Sequence, residues 1–376
     1  MINKNKLQAK KKSFWSTFKN AYLRQKNLKT FWRKLDKKNL SQELIETFNL
    51  YLNSESYNWS SKYWRHLTML HINLIASGKY KNYQNIMARH YFTWTEVDED
   101  LIKDSCKAIQ HSKINLDVNL FKKQDNLNFT DSINHNLILL LLYENIKLKK
   151  VSKYLNQLNK LKKNNSVIEN SLNINGLEIT QDNLNSLMEY EQIERLLGKL
   201  SVKKNRFLEV GAGSGRTATI ILSINDNAKY VIADLPPAAN VSFGNLKTSF
   251  PNKKITKVFE LNNQDDLNIA LEKNDILFVF PHQIKFFPKK TFDISIAIDC
   301  LHEMEKRVIK DYMANFEHVS KLLYFKVWEH AGLPYAFYQH YSVHRKDDYF
   351  IKDSWKEHFK ERCIYPAKFF ELGYEF

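Results

Sequence analysis

Three of the nine glycines in this chain, Gly211, Gly213 and Gly215, fall within five residues of the stretch FLEVGAGSGR (207–216). An apolar run leads into them and TATIILSI (217–224) follows. A strand that enters a glycine turn and leaves as a helix offers a ligand bare backbone and helix-start N–H groups. A dinucleotide fingerprint, G-x-G-x-x-G, requires glycine at position 216, where this chain has Arg216. The pattern is instead acid-x-G-x-G-x-G, starting at Glu209. A second chemical signal stands nineteen residues after Gly215, where KYVIAD (229–234) ends in Asp234. A carboxylate accepts both protons of a vicinal diol, so Asp234 suits the hydroxyls of a ribose; as an alternative it caps the next helix. The third signal is His302-Glu303, just past the apolar run FDISIAID (292–299). A histidine there can act as general base toward a poorly nucleophilic hydroxyl, with Glu303 orienting it or itself acting as base. The alternative is that the pair only opens the following helix.

These residues need a scaffold that brings strand ends together. From residue 205, short apolar runs alternate with helical stretches: RFLEV (206–210), KYVIAD, ILFVF (276–280), FDISIAID and LLYFKVW (322–328). That alternation predicts an α/β fold with a mostly parallel sheet and helices on both faces. Ligands then bind in the crevice beyond the strand ends. The pair Pro236-Pro237 ends the second run sharply: Leu235 is pushed to extended backbone, and proline suits the first turn of the next helix. An Asp-Pro-Pro of base-methylating enzymes belongs after the fourth strand with an aromatic following, whereas this one follows the second and precedes Ala238.

Upstream, residues 39–189 read as helices. Ser41 opens SQELIETFNLYL, and Tyr63, Leu67, Leu70 and Leu74 share a face of a helix ending near Gly78. Residues 136–163 form one long helical pattern, the chain turns polar around 162–170, and Thr180 and Gly198 bracket a further helix. Trp59, Trp64 and Trp94 are expected in the core of this part. Residues 1–38 hold thirteen Lys or Arg against one acid, Asp36, which is +12 of the whole charge of +16. Phe14, Trp15, Phe18 and Tyr22 recur there at helical spacing, and Phe31, Trp32 and Leu35 repeat the pattern. Such an arm can pack its aromatics on the body, lie on an anionic membrane, or, less favoured, track nucleic-acid phosphates. The longest apolar run, 137–142, is far below the roughly 18 residues of a membrane span. Three scattered cysteines, with no CxxC pair, fit a reducing cytosol and argue against a thiolate metal site.

The turn from Glu209 to Gly215 resembles motif I of class I S-adenosylmethionine-dependent methyltransferases. The resemblance covers about residues 190–376 and implies a Rossmann-like, seven-stranded, mostly parallel sheet ending in an antiparallel pair. It implies S-adenosyl-L-methionine as cofactor, with its methionine end at Gly211, Gly213 and Gly215 and its ribose on Asp234 beside Leu235. His282, with Gln283, would line the adenine pocket unless both are loop residues, and Asp299 would join the cofactor site. EVGAGSGR, ADLPPA, FDISIAIDCLHEM and the upstream SSKYWRHL and YKNYQNIMARHY together resemble the sugar O-methyltransferase family of bacterial surface-polysaccharide loci. Asp234-Leu235-Pro236 and Glu303-Met304 carry that likeness; Ser214 and Arg216 depart from the family's turn, which often has an aromatic and a further glycine. Plant small-molecule O-methyltransferases place a base histidine where His302 stands, though Met304 replaces their aromatic. His330 opens an aromatic and histidine-rich segment suited equally to stacking on sugars or to a core. Asp299 and Glu329 are too scattered to indicate a metal, and none is expected.

The expected protein is thus a cytoplasmic enzyme that methylates a sugar hydroxyl of a surface glycan or its precursor, with peripheral contact of its arm at the inner membrane face as an alternative to packing of the arm on the body. The competing readings are an RNA methyltransferase recruited by the arm and a non-catalytic membrane-associated binding protein.

Overall fold

The computed structural model describes residues 27–82, 86, 129–160, 170–332, 343–345, 348–363 and 369–376. Residues 1–26 of the basic arm, Trp94 and most of the segment after His330 lie outside these. The described elements begin with helices α1 (Leu28–Lys34), α2 (Gln42–Asn53), α3 (Ser56–Trp59), α4 (Lys62–Ala76) and α5 (Phe129–Lys147). Then come a 3-10 helix (Lys150–Lys160), a hairpin of β1 (Ser171–Ile174) and β2 (Leu177–Thr180), and α6 (Gln181–Leu197). The α/β part runs β3 (Arg206–Val210), α7 (Arg216–Ile224), β4 (Lys229–Ala233), α8 (Pro236–Ser249), β5 (Ile255–Lys257), α9 (Gln264–Lys273), β6 (Ile276–Val279), β7 (Phe292–Ile298), α10 (Lys306–Val319) and β8 (Ser320–Trp328). It closes with β9 (His330–Gly332), β10 (Val343–Arg345), β11 (Lys356–Arg362) and β12 (Phe369–Glu375).

The main sheet has the order β11-β12-β8-β7-β3-β4-β6-β5. Strands β3 to β8 are parallel, and β12 enters antiparallel between β8 and β11. Eight strands stand where seven were expected: the extra one is β5, which pairs parallel to β6 at the sheet edge. The chain leaves β3 toward β4 and later returns to β7 on its other side, so the crevice opens at the C-terminal ends of β3, β4 and β7. Their residues are almost all buried, because helices cover both faces. On one face Phe207, Tyr230, Phe278 and Tyr324 join a core shared with the N-terminal helices, α6, α7 and α8. On the other, Leu208, Val231, Leu277 and Phe325 pack on α9 and α10.

Local signals explain most boundaries. Ser41 and Thr180 cap α2 and α6 by accepting the N–H groups of Leu44 and Asn183. Pro236 and Pro237 open α8 after an extended Leu235. Gly78, at φ +74°, follows the end of α4.

Several expectations are corrected. The pattern at 136–163 is not one helix, since α5 ends at Lys147 and a tight 3-10 helix follows. Helix α4 buries His66, Thr68, His71, Ile72 and Ile75 together with Leu67, so its inner face is not the Tyr63–Leu74 stripe. Strand β11 begins inside the DSWKEHFKE stretch (353–361), which was expected to be flanked by strands, and ends one residue past it. Helix α6 runs unbroken past residue 190, so the expected boundary at 189/190 falls inside an element. Of the arm, α1 packs on the body: Trp32 is buried, stacks on Phe48 at 5.1 Å and donates to Asn49 at 2.9 Å. No helix among the described residues is long and apolar enough to cross a membrane.

Candidate active site

The glycine turn joins β3 to α7 with φ +68°, +58° and +80° at Gly211, Gly213 and Gly215. Gly211 N–H donates to Ala233 O at 3.1 Å. A Cβ on Gly211 would lie 2.6 Å from Cys300 Cβ, so the bare backbone lets the ends of β3 and β7 meet. Asp234 follows β4 and is 7% exposed. Its Oδ1 accepts Leu235 N–H at 2.7 Å and its Oδ2 accepts Gly213 N–H at 3.2 Å. Burial pushes its carboxyl up to about 7, against the pull of the Leu235, Gly213 and Ala212 amides. The side chain lines a cavity of 460 Å³. Small-molecule sites occupy roughly 300–1,000 Å³.

Gly211, Gly213, Asp234, Leu235, Asp299, His302 and Glu303 all line this one cavity, as does Arg216. The other expected residues stand behind it. Glu209 lies buried at the end of β3, where Tyr230 donates to it at 2.9 Å and burial pushes its carboxyl up to about 8. Gly215 caps α7 without lining the cavity. His282, expected at the adenine pocket, does not line this cavity: its Nδ1 lies 2.9 Å from Ser56 Oγ and its Nε2 lies 3.2 Å from Asn262 Oδ1. Its own N–H donates to the same Ser56 Oγ, so a neutral Nε2–H ring satisfies every contact. Burial lowers its pKa accordingly. Gln283 ties the same turn to Phe280, Val258 and Leu261, and Pro281 is the member of that turn that reaches the cavity. Glu329 is exposed and does not line the cavity.

The same cavity is lined by the His-Glu pair, on a 3-10 turn, Leu301–Glu303. His302 is 8% exposed, and its ring centre sits 5.8 Å from that of Trp328 on β8 and 5.9 Å from that of Phe369 on β12. Trp64 Nε1–H donates to Glu303 Oε2 at 2.9 Å. Trp59 meets Tyr312 edge-on at 4.9 Å. Trp59 and Trp64, expected in the core, are only partly buried and line the cavity together with Tyr63. No sequence spacing reveals the Trp64–Glu303 bond, whose partners are 239 residues apart.

Beside the glycine turn lies a buried charge cluster absent from the expectations. Arg216 opens α7 and reaches across to α6: Nη2 donates to Glu189 Oε1 at 2.9 Å, and Nη1 donates to Ser186 Oγ at 2.8 Å and to Glu189 Oε2. Lys326 of β8 donates to the same Glu189 at 2.9 Å. Glu189 and Lys326 are each 1% exposed. Burial acts to raise the Glu189 carboxyl, yet Arg216 and Lys326 together hold it below its ordinary value. Asp299, at φ +56° after β7, has Oδ2 3.6 Å from Arg216 Nη2, and burial raises its pKa. Asn185, one turn before Glu189, also borders a second cavity of 110 Å³ walled by Glu189 and Lys326. Arg216 appeared in the sequence as the residue that spoils a dinucleotide fingerprint. An ionisable residue at the first turn of a cofactor-binding helix was the available clue.

No protein-family model matches the chain, and no curated protein matches it. Among solved structures it is similar to the pyocyanin biosynthetic protein PhzM, at 13% identity and TM-score 0.33 over 51% of this chain and 56% of that one. It is similar to the magnesium protoporphyrin IX methyltransferase ChlM of Synechocystis with bound SAM, at 9% identity and TM-score 0.31 over 51% and 79%. A third is the CurJ carbon methyltransferase, at 12% identity and TM-score 0.33 over 51% and 53%. The chain thus spans little more than half the length of PhzM and CurJ. What its own strand order and crevice establish is a Rossmann-like α/β fold with a parallel-dominated sheet, preceded by helices that pack on one of its faces.

Proposed function

We propose that this protein is an S-adenosylmethionine-dependent O-methyltransferase acting on a sugar hydroxyl of a surface glycan or its precursor. One observation carries the reading: a single cavity runs from the glycine turn and Asp234 to the His302–Glu303 pair. The residues fit the cofactor. The Asp234 carboxyl lines the cavity beside the glycine turn, and its four lone-pair sites outnumber the backbone amides of Leu235, Gly213 and Ala212, which leaves acceptor capacity for a ribose hydroxyl. The bound cofactor would supply a methyl group made electrophilic by its sulfonium. Held at His302, an acceptor hydroxyl gives its proton to the imidazole as its oxygen becomes the nucleophile. Trp328 and Phe369 fix the ring plane of His302, and Trp64 fixes Glu303 beside it. Alignment of oxygen and methyl carbon supplies much of the acceleration, and the aromatic wall limits water around the reacting atoms.

A sugar acceptor is supported by the aromatic residues Trp59, Tyr63 and Trp64 in the cavity lining, a residue type that suits the C–H face of a pyranose. The basic arm suits an acceptor met at the inner membrane face. The test is calorimetric titration with S-adenosylmethionine, followed by incubation with the methyl-radiolabelled cofactor and a panel of UDP-sugars, purified bacterial surface polysaccharide and RNA. Cofactor binding with label on a sugar-containing fraction is expected. Label on RNA alone would replace the acceptor, and no binding at millimolar cofactor would sink the reading.

A further inference from the structure

Away from the active site, a groove of 790 Å³ lies between α1 and the C-terminal end of α4. That is within the roughly 300–1,000 Å³ of small-molecule sites. Phe31, Leu35 and Ala76 give it an apolar lining, and Lys34 and Lys38 give it charge. Its one acid among the described residues, Asp36, stands 3.5 Å from Lys38 Nζ. Lys34 and its neighbour Arg33 are exposed and form no ion pair among the described residues. Helix α1 cannot itself enter a membrane by its apolar side: Leu28 and Trp32 are buried in the body, with Trp32 stacked on Phe48. What it turns outward is the cationic side, next to the groove. Asn27, which lines the groove, is followed upstream by residues 1–26, which carry eight Lys or Arg and no Asp or Glu. A basic rim repels a basic arm, so charge argues against the arm as the occupant and directs both to one anionic partner. An apolar floor with a cationic rim complements a lipid with an apolar acyl chain and a negative phosphate.

We propose that this groove binds an anionic phospholipid of a bilayer surface, with the phosphate at Lys34 and Lys38 and an acyl chain against Phe31 and Leu35. The groove, rather than an inserted α1, is then what holds the body to the bilayer beside the arm. The site lies outside the active-site cavity and does not depend on the methyl-transfer reading. It is joined to that cavity through α3: Lys29 Nζ lies 4.7 Å from the Tyr57 ring centre, and Trp59, two residues on, lines the cavity.

The test uses the full chain. Calorimetry with a short-chain phosphatidylglycerol below its micelle concentration should show saturable binding. Phosphatidylcholine of the same chain length should bind roughly tenfold more weakly, and glycerol phosphate should not bind. Equal affinity for glycerol phosphate would reduce the site to a phosphate contact and overturn the lipid assignment. Sedimentation with phosphatidylglycerol vesicles then reads the rim. Each lysine at an anionic surface is worth about fivefold in affinity, so Lys34→Gln with Lys38→Gln should weaken vesicle binding about thirtyfold. Lys199→Gln with Lys203→Gln removes the same charge from the stretch before β3, at the sheet end opposite the crevice, and should leave binding within about threefold. Equal loss in the two double variants would assign binding to net charge and overturn the groove. So would a natural chain that binds neither the short-chain lipid nor the vesicles. Tighter retention of an RNA hairpin than of the vesicles overturns the bilayer as partner. No methyl donor enters these measurements, so this proposal and the methyl-transfer reading fail separately.

Discussion

Replacing Asp234 by Asn keeps the side chain's shape and removes its charge, so it isolates the diol-binding role. The Asn carbonyl will take the shorter of the two backbone contacts, Leu235 N–H at 2.7 Å. Its NH2 then faces Gly213 N–H, donor against donor, at the position now bonded at 3.2 Å. One ribose hydroxyl loses a bond to a charged acceptor, worth about 1.5–3 kcal/mol, and the other keeps only a neutral one, about 1 kcal/mol weaker. The sum, about 2.5–4 kcal/mol, corresponds to roughly a 100- to 1,000-fold rise in Kd. Only the ionised carboxylate accepts both hydroxyls, and burial holds the Asp234 pKa at about 7. The ratio of variant to natural Kd should therefore widen from pH 6 to pH 8; titration of the ligand's own groups cancels from that ratio. The same shift has the opposite sign for the empty protein. A carboxyl whose folded pKa is raised from 3.8 to about 7 favours the protonated folded state, so its contribution to stability falls as pH rises through that interval and stays lost above it. The Asn variant should gain on the natural protein in Tm between pH 5 and pH 8. The measurements are calorimetric titrations at three pH values and thermal melts of both proteins. A variant Kd within threefold of the natural value, or a Kd ratio flat with pH, would refute the reasoning.

Three further outcomes are expected. Glu189→Gln leaves Arg216 and Lys326 short of their shared buried anion, which costs about 3–5 kcal/mol. At about 2.1 cal/mol/K per residue over 376 residues, a calorimetric melt should show Tm lower by about 4–6 °C. Gly211→Ala places a Cβ 2.6 Å from Cys300 Cβ at φ +68° and should cost about 2–5 kcal/mol from strain and overlap. Cys300→Gly in the same chain should recover the overlap part, and chemical denaturation of the four proteins measures that coupling. Trp64→Phe keeps a ring but removes the N–H that Glu303 accepts at 2.9 Å. Methyl transfer to the acceptor found by labelling should fall about tenfold with cofactor Kd unchanged; a loss confined to Kd would contradict the assignment of Trp64 to the acceptor end.

The glycine turn and Asp234 were legible because they depend on local backbone geometry, in which three closely spaced glycines and a strand-ending acid each leave a mark. The caps at Ser41 and Thr180 were legible for the same reason. The hairpin β1–β2 carried a clear turn signal, Asn175-Gly176, both at positive φ, but it sat in a stretch dominated by helical patterns. Strand β5 is three residues, Ile-Thr-Lys, too short to show any period. The inner face of α4 was misread because it buries His66, Thr68 and His71, and polar residues are ordinarily placed outward. His282 was drawn to the ligand by its position after a strand, whereas Ser56, 226 residues earlier, holds it in the seam with the N-terminal helices. The Arg216–Glu189–Lys326 cluster spans separations of 27 and 137 residues, and a buried charge has no periodicity to betray it.

The seam made by Ser56–His282 and Trp64–Glu303 also bears on how the chain is made. Its two halves are translated 226 and 239 residues apart. At roughly 5–20 residues per second, α2 to α4 wait about 10 to 50 s beyond the ribosome before the surface that covers Tyr51 and Trp59 exists. During that interval Tyr51 keeps its neighbours Phe48 and Tyr57 but lacks Phe280, and Trp59 lacks Tyr312, which makes the nascent N-terminal helices natural clients for chaperones. Chains stalled at residue 250 should be cleaved by protease within α3 and α4, and chains stalled with residue 303 well clear of the exit tunnel should resist.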